Sequence, residues 1–364
     1  MTGRLCGGLP QQKTDTPVFV AFLRRIGVLV LGAWLLCVLL VALVLMIGRA
    51  AETWVLTVAI SENGGWRIYV LDVERDFAHQ LYRQFRFRDF PVPSPDRRYV
   101  AFATVNAELR LLDSYSGRDD LLAENVSFGL PGWSPLNTTP RLVYQGIAGR
   151  VYMTAIGDDS RPDAPLMLSP GMGLEARGFV WSADGAEIAY EQRGAINNTW
   201  RYDVYRVEAD GENLQPLIPP ENSSSYSPAW SPDSESLAFI GTNGRTSQLY
   251  MADRNGQVTR LPFPSTATQS GSLVWSPDGT QLAFATFPLD APGVFIADLA
   301  TGQVRQITQL SPAATLVWSP DGRRMAFVVF SGDELYLVDA DSGKQRRLQI
   351  VRGSYHVLLG SGTR

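Results

Sequence analysis

The residues able to do chemistry in this chain are few and scattered. There are only two histidines, His79 and His356, and two cysteines, Cys6 and Cys37. Glu-x-x-His pairs and Cys-x-x-Cys spacings are absent, so a zinc or other metal centre is not expected, and no cofactor is implied. The chain also has no Gly-x-Ser-x-Gly elbow to expose a nucleophilic serine, and no Gly-rich phosphate loop opening a helix. A catalytic site needs at least a nucleophile or an acid/base with a partner that orients it. This sequence offers no recognisable set, so no catalytic residues are assigned.

Two small groups suit binding. Arg86-Phe-Arg88-Asp89 is the sharpest basic cluster; it could grip a carboxylate or phosphate in bidentate fashion, or simply alternate with inward-packing Phe85 and Phe87. Arg352, Tyr355 and His356 fall near the C-terminus, on a segment expected to line a central channel. These five residues, Arg86, Arg88, Arg352, Tyr355 and His356, are the candidate binding groups. His79 reads as a solvated residue on an outer strand, and Asp119-Asp120 and Asp158-Asp159 as charges in loops.

The elements that must position these groups are repeats. Trp275-Ser-Pro-Asp-Gly279 precedes Leu282-Ala-Phe284, and Trp318-Ser-Pro-Asp-Gly322 precedes Met325-Ala-Phe327. Trp230-Ser-Pro-Asp-Ser234 and Trp181-Ser-Ala-Asp-Gly185 lead to Leu237-Ala-Phe239 and Ile188-Ala-Tyr190. Two worn copies are Pro93-Ser-Pro-Asp-Arg97 and Trp133-Ser-Pro135, the latter reaching Leu142-Val-Tyr144 after two extra residues. Pro presets φ, Asp bonds its own backbone and Gly accepts positive φ, so each copy is a tight turn between strands. The Trp reads as packing between neighbouring sheets in preference to a stacking platform for sugars or bases.

Each repeat continues with a strand ending in an acidic turn, such as Leu249-Tyr-Met-Ala-Asp253, Val294-Phe-Ile-Ala-Asp298 and Leu335-Tyr-Leu-Val-Asp339, and then a short outer strand. These turns lack the further acids of a calcium loop and read as hairpin turns. Four strands per repeat make a propeller blade. Val58-Ala-Ile60, Ile68 to Asp72 and His79 to Leu81 supply three strands with no Trp turn before them, and Val351 to Leu359 is one strand left over. Together they complete one blade. The expectation is an all-β, seven-bladed propeller (alternatively six blades) of four-stranded antiparallel sheets, closed by the C-terminal strand, over residues 52–360.

The turn-and-strand pattern resembles the TolB-like propeller repeat, also found beside the hydrolase domain of prolyl-oligopeptidase-type enzymes. The resemblance covers nearly all of residues 52–360 and implies the fold. It implies little about function, since propellers host many activities. TolB itself, as a family, has six blades and a separate N-terminal domain, whereas here an apolar segment leads almost directly into the first blade.

That segment, 26–47, has 22 residues without a charge, long enough to cross ~30 Å of hydrocarbon. Arg4, Lys13, Arg24 and Arg25 precede it, so residues 1–25 are expected in the cytoplasm and the propeller outside. A cleaved signal peptide is the rival reading, but the apolar run is too long for one. The net charge is −4; residues 1–50 hold five basic and one acidic residue, so the remainder carries −8, which argues against nucleic acid as a partner. Both cysteines precede the propeller, which therefore folds without disulfides. The reading is a single-pass protein of the inner or cell membrane whose extracytoplasmic propeller is a non-catalytic scaffold for a protein or peptide. A carbohydrate- or ligand-binding sensor is the alternative, and a hydrolase or lyase with a site in the channel a third. Three long connections, Ala155–Glu175, Glu191–Trp200 and Pro216–Tyr226, are where recognition is expected.

Overall fold

The computed structural model describes residues 54–363 apart from 63–64, 82–90, 105, 127–129, 136–138, 158, 160, 171–174, 197–198, 220–223, 264–269, 287–291, 311, 330–333 and 349–353. The described residues form seven four-stranded antiparallel sheets in sequence order. Blades two to seven take their strands consecutively: 92–123, 132–169, 176–217, 224–260, 270–308 and 312–348. The first blade combines Trp54–Glu62, Gly65–Asp72 and Phe77–Gln80 with Ser354–Thr363 as its fourth strand.

That fourth strand runs antiparallel to Trp54–Glu62, pairing Trp54 with Thr363, Val58 with Leu358 and Ile60 with Tyr355. The closing strand thus extends beyond the Val351–Leu359 run read from sequence, to Thr363, while residues 351–353 lie outside the described residues. The seam is also ionic, because Arg324 of the last blade meets Glu74 of the first, and Arg346 holds both oxygens of Asp76 at 3.1 and 3.2 Å.

Each repeated turn is a closed hydrogen-bond unit. Ser276 Oγ donates to Asp278 Oδ1 (2.6 Å) and accepts from the Gln281 N–H (2.9 Å); Ser182 does the same with Asp184 and Glu187. The fifth turn residue has positive φ in Gly185, Gly279 and Gly322, and equally in the worn copies, at Ser234 (63°) and Arg97 (62°). Glycine relieves that conformation; the turn's bonds impose it. In the third blade Ser134 Oγ accepts from Arg141, seven residues on, which accommodates the two extra residues. Three of the Trp indoles tie blade to blade: Trp133 donates to Val92 O, Trp181 to Gly132 O and Trp275 to Ala229 O, all on the inner strand of the preceding blade. The rings are therefore structural.

The core lies between the blades. Phe239, Tyr250 and Leu237 pack on Val204, Leu217 and Ala189 of the blade before, and Trp54, Leu56, Val58 and Ile60 pack on Ala326, Val328, Leu335 and Leu337 across the seam. Within five blades an aromatic from the second strand stacks on one from the third, as Phe284 does on Phe295 at 5.6 Å and Tyr190 on Tyr205 at 5.9 Å. The Phe of Leu-Ala-Phe and the Tyr of Leu-Tyr-x-x-Asp are recurrent for that reason.

The acidic turns at the strand ends are hairpin turns as expected. Asp298 Oδ1 accepts from the Thr301 N–H and hydroxyl (2.8 and 2.7 Å), and Asp339 bonds Ser342 in the same way. Asp119 and Asp120, expected in a loop, begin a strand instead and pair with Arg110 and Arg118.

These carboxylates set an acid limit. The Thr301 and Ser342 hydroxyls hold Asp298 and Asp339 below the usual 3.8, and the Ser231 and Ser276 hydroxyls do so for Asp233 and Asp278. A depressed folded pKa contributes stability that is complete above the unfolded value and is lost as pH falls through the folded one. The urea midpoint is therefore expected to hold from neutrality to about pH 5 and to fall below about pH 4. Asp278→Asn should shallow that acid limb; an unchanged limb would remove the turn aspartates as its cause.

Candidate functional site

The described residues include little of the predicted binding set. Arg86, Arg88 and Arg352 lie outside them. Tyr355 and His356 are on the closing strand, where Tyr355 pairs with Ile60, and only their backbone is described. His79 is on the outer strand Phe77–Gln80, half-buried and 6.4 Å from the Phe77 ring.

What the fold does assemble is a projecting hairpin on the fourth blade. The connection read as Glu191–Trp200 is not a loop: Glu187–Ile196 and Thr199–Glu208 are paired throughout, from Glu187↔Glu208 to Ile196↔Thr199. Each strand has 10 residues, against 7 in the fifth blade's hairpin and 6 in the sixth's and seventh's. At ~3.4 Å per residue its paired strands run roughly 10 Å further than those of the fifth blade. Its base alternates into two cores: Ile188, Tyr190 and Val207 face the third blade, and Ala189 and Val204 the fifth. The side chains beyond follow the same alternation.

On the face toward the fifth blade, charges and rings interlock. Arg177 Nε, from the inner strand Ala176–Trp181, donates to Glu191 Oε2 at 2.9 Å. Glu191 Oε1 accepts from the Ser227 N–H at 2.9 Å, where the fifth blade's inner strand bulges and Ser227 takes φ 53°. A carboxylate thus holds a serine in the left-handed region. The Arg177 guanidinium also lies 4.1 Å from the Tyr202 ring centre, and Tyr202 Oη donates to Glu175 Oε2 at 2.7 Å. Burial works against the Arg177 charge, and Glu191 together with Tyr202 and Glu175 more than restores it. Burial and the bond to Glu175 both raise the Tyr202 phenol pKa. Further out, Arg193 lies over the Trp200 ring at 5.9 Å, and Trp200 is 58% exposed.

On the opposite face, the Arg201–Asp203 pair is buried, Nε to Oδ2 3.0 Å, with side chains 8% and 1% exposed. Burial pushes the Asp203 carboxyl up, against the pull of Arg201. Asp203 stands directly across from Gln192, and neither Asp203 Oδ1 nor Gln192 Nε2 has a hydrogen-bond partner among the described residues.

The carboxylates here are engaged by donors that fix rings and backbone, which suits recognition surfaces. Among the described residues no three His, Cys, Asp or Glu side chains gather as a metal site. At the other end of the fourth and fifth blades, a polar groove of about 430 Å³ is lined by Glu187, Arg206, Glu208, Gln215, Arg254 and Asn255. Its groups serve each other: Arg206 donates to Asp253 O and Arg254 O, and Arg254 to Asp184 Oδ2. It reads as an inter-blade staple.

Residues 177–357 match the model of the TolB beta propeller domain family. The chain is thus similar to that family over just under half of its length. TolB from Acinetobacter baumannii superposes with a TM-score of 0.51 at 16% identity, covering 84% of this chain and 65% of that one. This chain thus matches just under two thirds of that TolB's length. The same propeller superposes on the tricorn protease (TM-score 0.59, 13% identity, 84% of this chain and 36% of that one). It also superposes on an oligogalacturonate lyase in complex with manganese (TM-score 0.58, 14% identity, 76% of this chain and 83% of that one). At these identities the likeness is one of fold alone, and TolB-like propellers of this kind carry different activities. No curated protein matches this chain in sequence.

Sequence reading missed Arg177, Glu191, Arg193 and Tyr202 because they come from separate strands. The run gave little signal, since Glu191, Gln192 and Arg193 are three consecutive polar residues that break any alternation from Ile188 to Ile196.

Proposed function

We propose that this chain is a membrane-anchored, extracytoplasmic TolB-like propeller that binds a protein or peptide partner through the fourth-blade hairpin. The observation that carries the reading is Trp200, exposed on the projecting strand beneath the Arg193 guanidinium. Trp, Tyr and Arg are the side chains that most often dominate protein interfaces, and here they are held in place before any partner arrives. A flat apolar patch is not what the hairpin offers; it offers rings with cations. A sugar would need the open face of an aromatic ring, and Arg177 already lies over that of Tyr202 at 4.1 Å. The carbohydrate alternative is therefore the weaker one. The anchor rests on the uncharged segment 26–47 behind Arg24 and Arg25.

The test is a photo-crosslinking side chain at position 200 in native membranes, followed by affinity measurements with the captured partner. Trp200→Ala and Arg193→Ala are each expected to weaken binding roughly tenfold to a hundredfold, with unchanged melting temperature, since both side chains are exposed. Unaltered affinity in both variants would reject the hairpin as the binding element. In the same preparations the protein should stay with membranes after an alkaline wash; release of a fragment beginning near Ala51 would replace the anchor with a cleaved signal.

A further inference from the structure

Glu191 places a charge where the repeat asks for none. Its counterparts, each directly after a Leu-Ala-Phe-type triplet, are Ile240, Ala285 and Val328, all buried and apolar. Glu191 is nearly as buried, its side chain 10% exposed, and it bonds the inner strands of two blades. On its own blade Oε2 accepts from Arg177 Nε, and on the fifth Oε1 accepts from the Ser227 N–H, both at 2.9 Å. Both inner strands turn left-handed beside it: Gly178 has φ 66° and Ser227 φ 53°, each three residues before its Trp. Ser272 and Thr315, at that place in the sixth and seventh blades, do not. Gly178 leaves room for the carboxylate, since a Cβ there would lie 3.4 Å from Glu191 Oε1. Ser227 precedes Pro228, and proline drives the residue before it to extended backbone, so its conformation is held against local preference.

Resting on the hairpin as the partner-binding element, we infer that Glu191 is the positioning residue of that element: acting through Arg177, it fixes the Tyr202 ring before the partner arrives. The contacts run on from Glu191 to the exposed Trp. The Arg177 guanidinium lies 4.1 Å from the Tyr202 ring centre, and the Tyr202 hydroxyl donates to Glu175 Oε2 at 2.7 Å. Glu175 O accepts from the Arg193 N–H at 2.9 Å, and Arg193 lies over Trp200. Long side chains left free would lose rotamer freedom when a partner binds; fixed in advance, they lose none. An ionised acceptor holds a guanidinium more strongly than a neutral one, which is the use of a carboxylate at this place. The bond to Ser227 anchors that carboxylate on the neighbouring blade, so the fifth blade sets the geometry of a ring on the fourth.

The experiment compares Glu191→Gln with the parent, using the full-length protein and the partner captured at position 200. Glutamine keeps the size and an oxygen for the Ser227 N–H, and gives up the charge that holds Arg177. Affinity is expected to fall about tenfold with little change in melting temperature. In a Tyr202→Ala background the same substitution should change affinity less than about twofold, because the ring through which Glu191 acts is gone. Arg177→Gln is the second variant; it should match the loss in Glu191→Gln, and the pair together should lose no more than either alone. Without any partner, the Arg177 Nε–H proton should exchange with solvent about tenfold faster in Glu191→Gln than in the parent. A carboxylate that serves stability alone would lower the melting temperature and leave affinity untouched. That outcome, losses that add in full, or an unchanged Arg177 exchange rate would overturn the positioning role. Weaker binding in Trp200→Ala but not in Glu191→Gln would reject this role and keep the hairpin as the binding element; no loss in either would reject both.

Discussion

Deleting residues 351–364 is expected to leave a protein that aggregates or melts far below the full chain. Ser354–Thr363 supplies the fourth strand of the first blade, bonded along Trp54–Glu62 from Trp54↔Thr363 to Ser61↔Ser354. Without it the first blade has a bare inner edge, and the seam with the last blade loses a strand that also contacts Pro312–Trp318. Exposed edges recruit other chains. The seam buries Trp54, Leu56, Val58 and Ile60 against Ala326, Val328, Leu335 and Leu337, and a buried side chain of this size contributes ~1.5–3 kcal/mol. Loosening that contact threatens a stability that is typically only ~5–15 kcal/mol in total. The ion pairs Arg324–Glu74 and Arg346–Asp76 remain, but such surface pairs contribute about 1 kcal/mol at most. Light scattering and thermal melting of the truncated chain check this. A monomer with an unchanged melting temperature would refute closure by the C-terminal strand.

The second large effect is expected from Asp203→Ala. Arg201 is 8% exposed and its main anionic neighbour is the 1% exposed Asp203 carboxylate. Removing that carboxylate leaves a guanidinium out of water without its counter-charge, for which about 3–5 kcal/mol of destabilisation is usual. Replacing both members, Arg201→Met with Asp203→Leu, should restore most of the loss, because no buried charge is then left alone. Urea unfolding of the parent and the two variants decides it. A single variant as stable as the parent would mean that solvent or other neighbours already satisfy Arg201. The pair alternates with Trp200 and Tyr202 along the same strand. Trp200→Ala removes only exposed surface and is expected to spare stability.

The blade count was legible in the sequence because each blade repeats local chemistry. The Ser-Pro-Asp-Gly turn closes on itself within five residues, as Ser276, Asp278 and Gln281 show, so its pattern survives in sequence whatever surrounds it. Even where glycine is replaced, at Ser234 and Arg97, the turn keeps its positive φ because the neighbouring Ser–Asp bonds remain. The leftover C-terminal strand was legible by arithmetic, since a blade lacking one strand needs one from elsewhere.

The candidate site was not legible in this way. Glu191 and Ser227 are 36 residues apart and meet only because adjacent blades bring a hairpin against an inner-strand bulge. Asn197-Asn198 marks a turn equally well in a long loop or at the tip of a ten-residue hairpin, and the register of the flanking strands decided between them. The repeats therefore determined the propeller and its closure through bonds formed within a blade, and their recurrent Trp marks the junctions where an indole bonds the preceding blade. Tertiary structure alone decided that the fourth blade's two strands stay paired as far as Ile196 and Thr199, and that Arg177 and Arg193 lie over Tyr202 and Trp200. Those features depend on how far neighbouring strands extend beside one another, a relation that no single repeat contains.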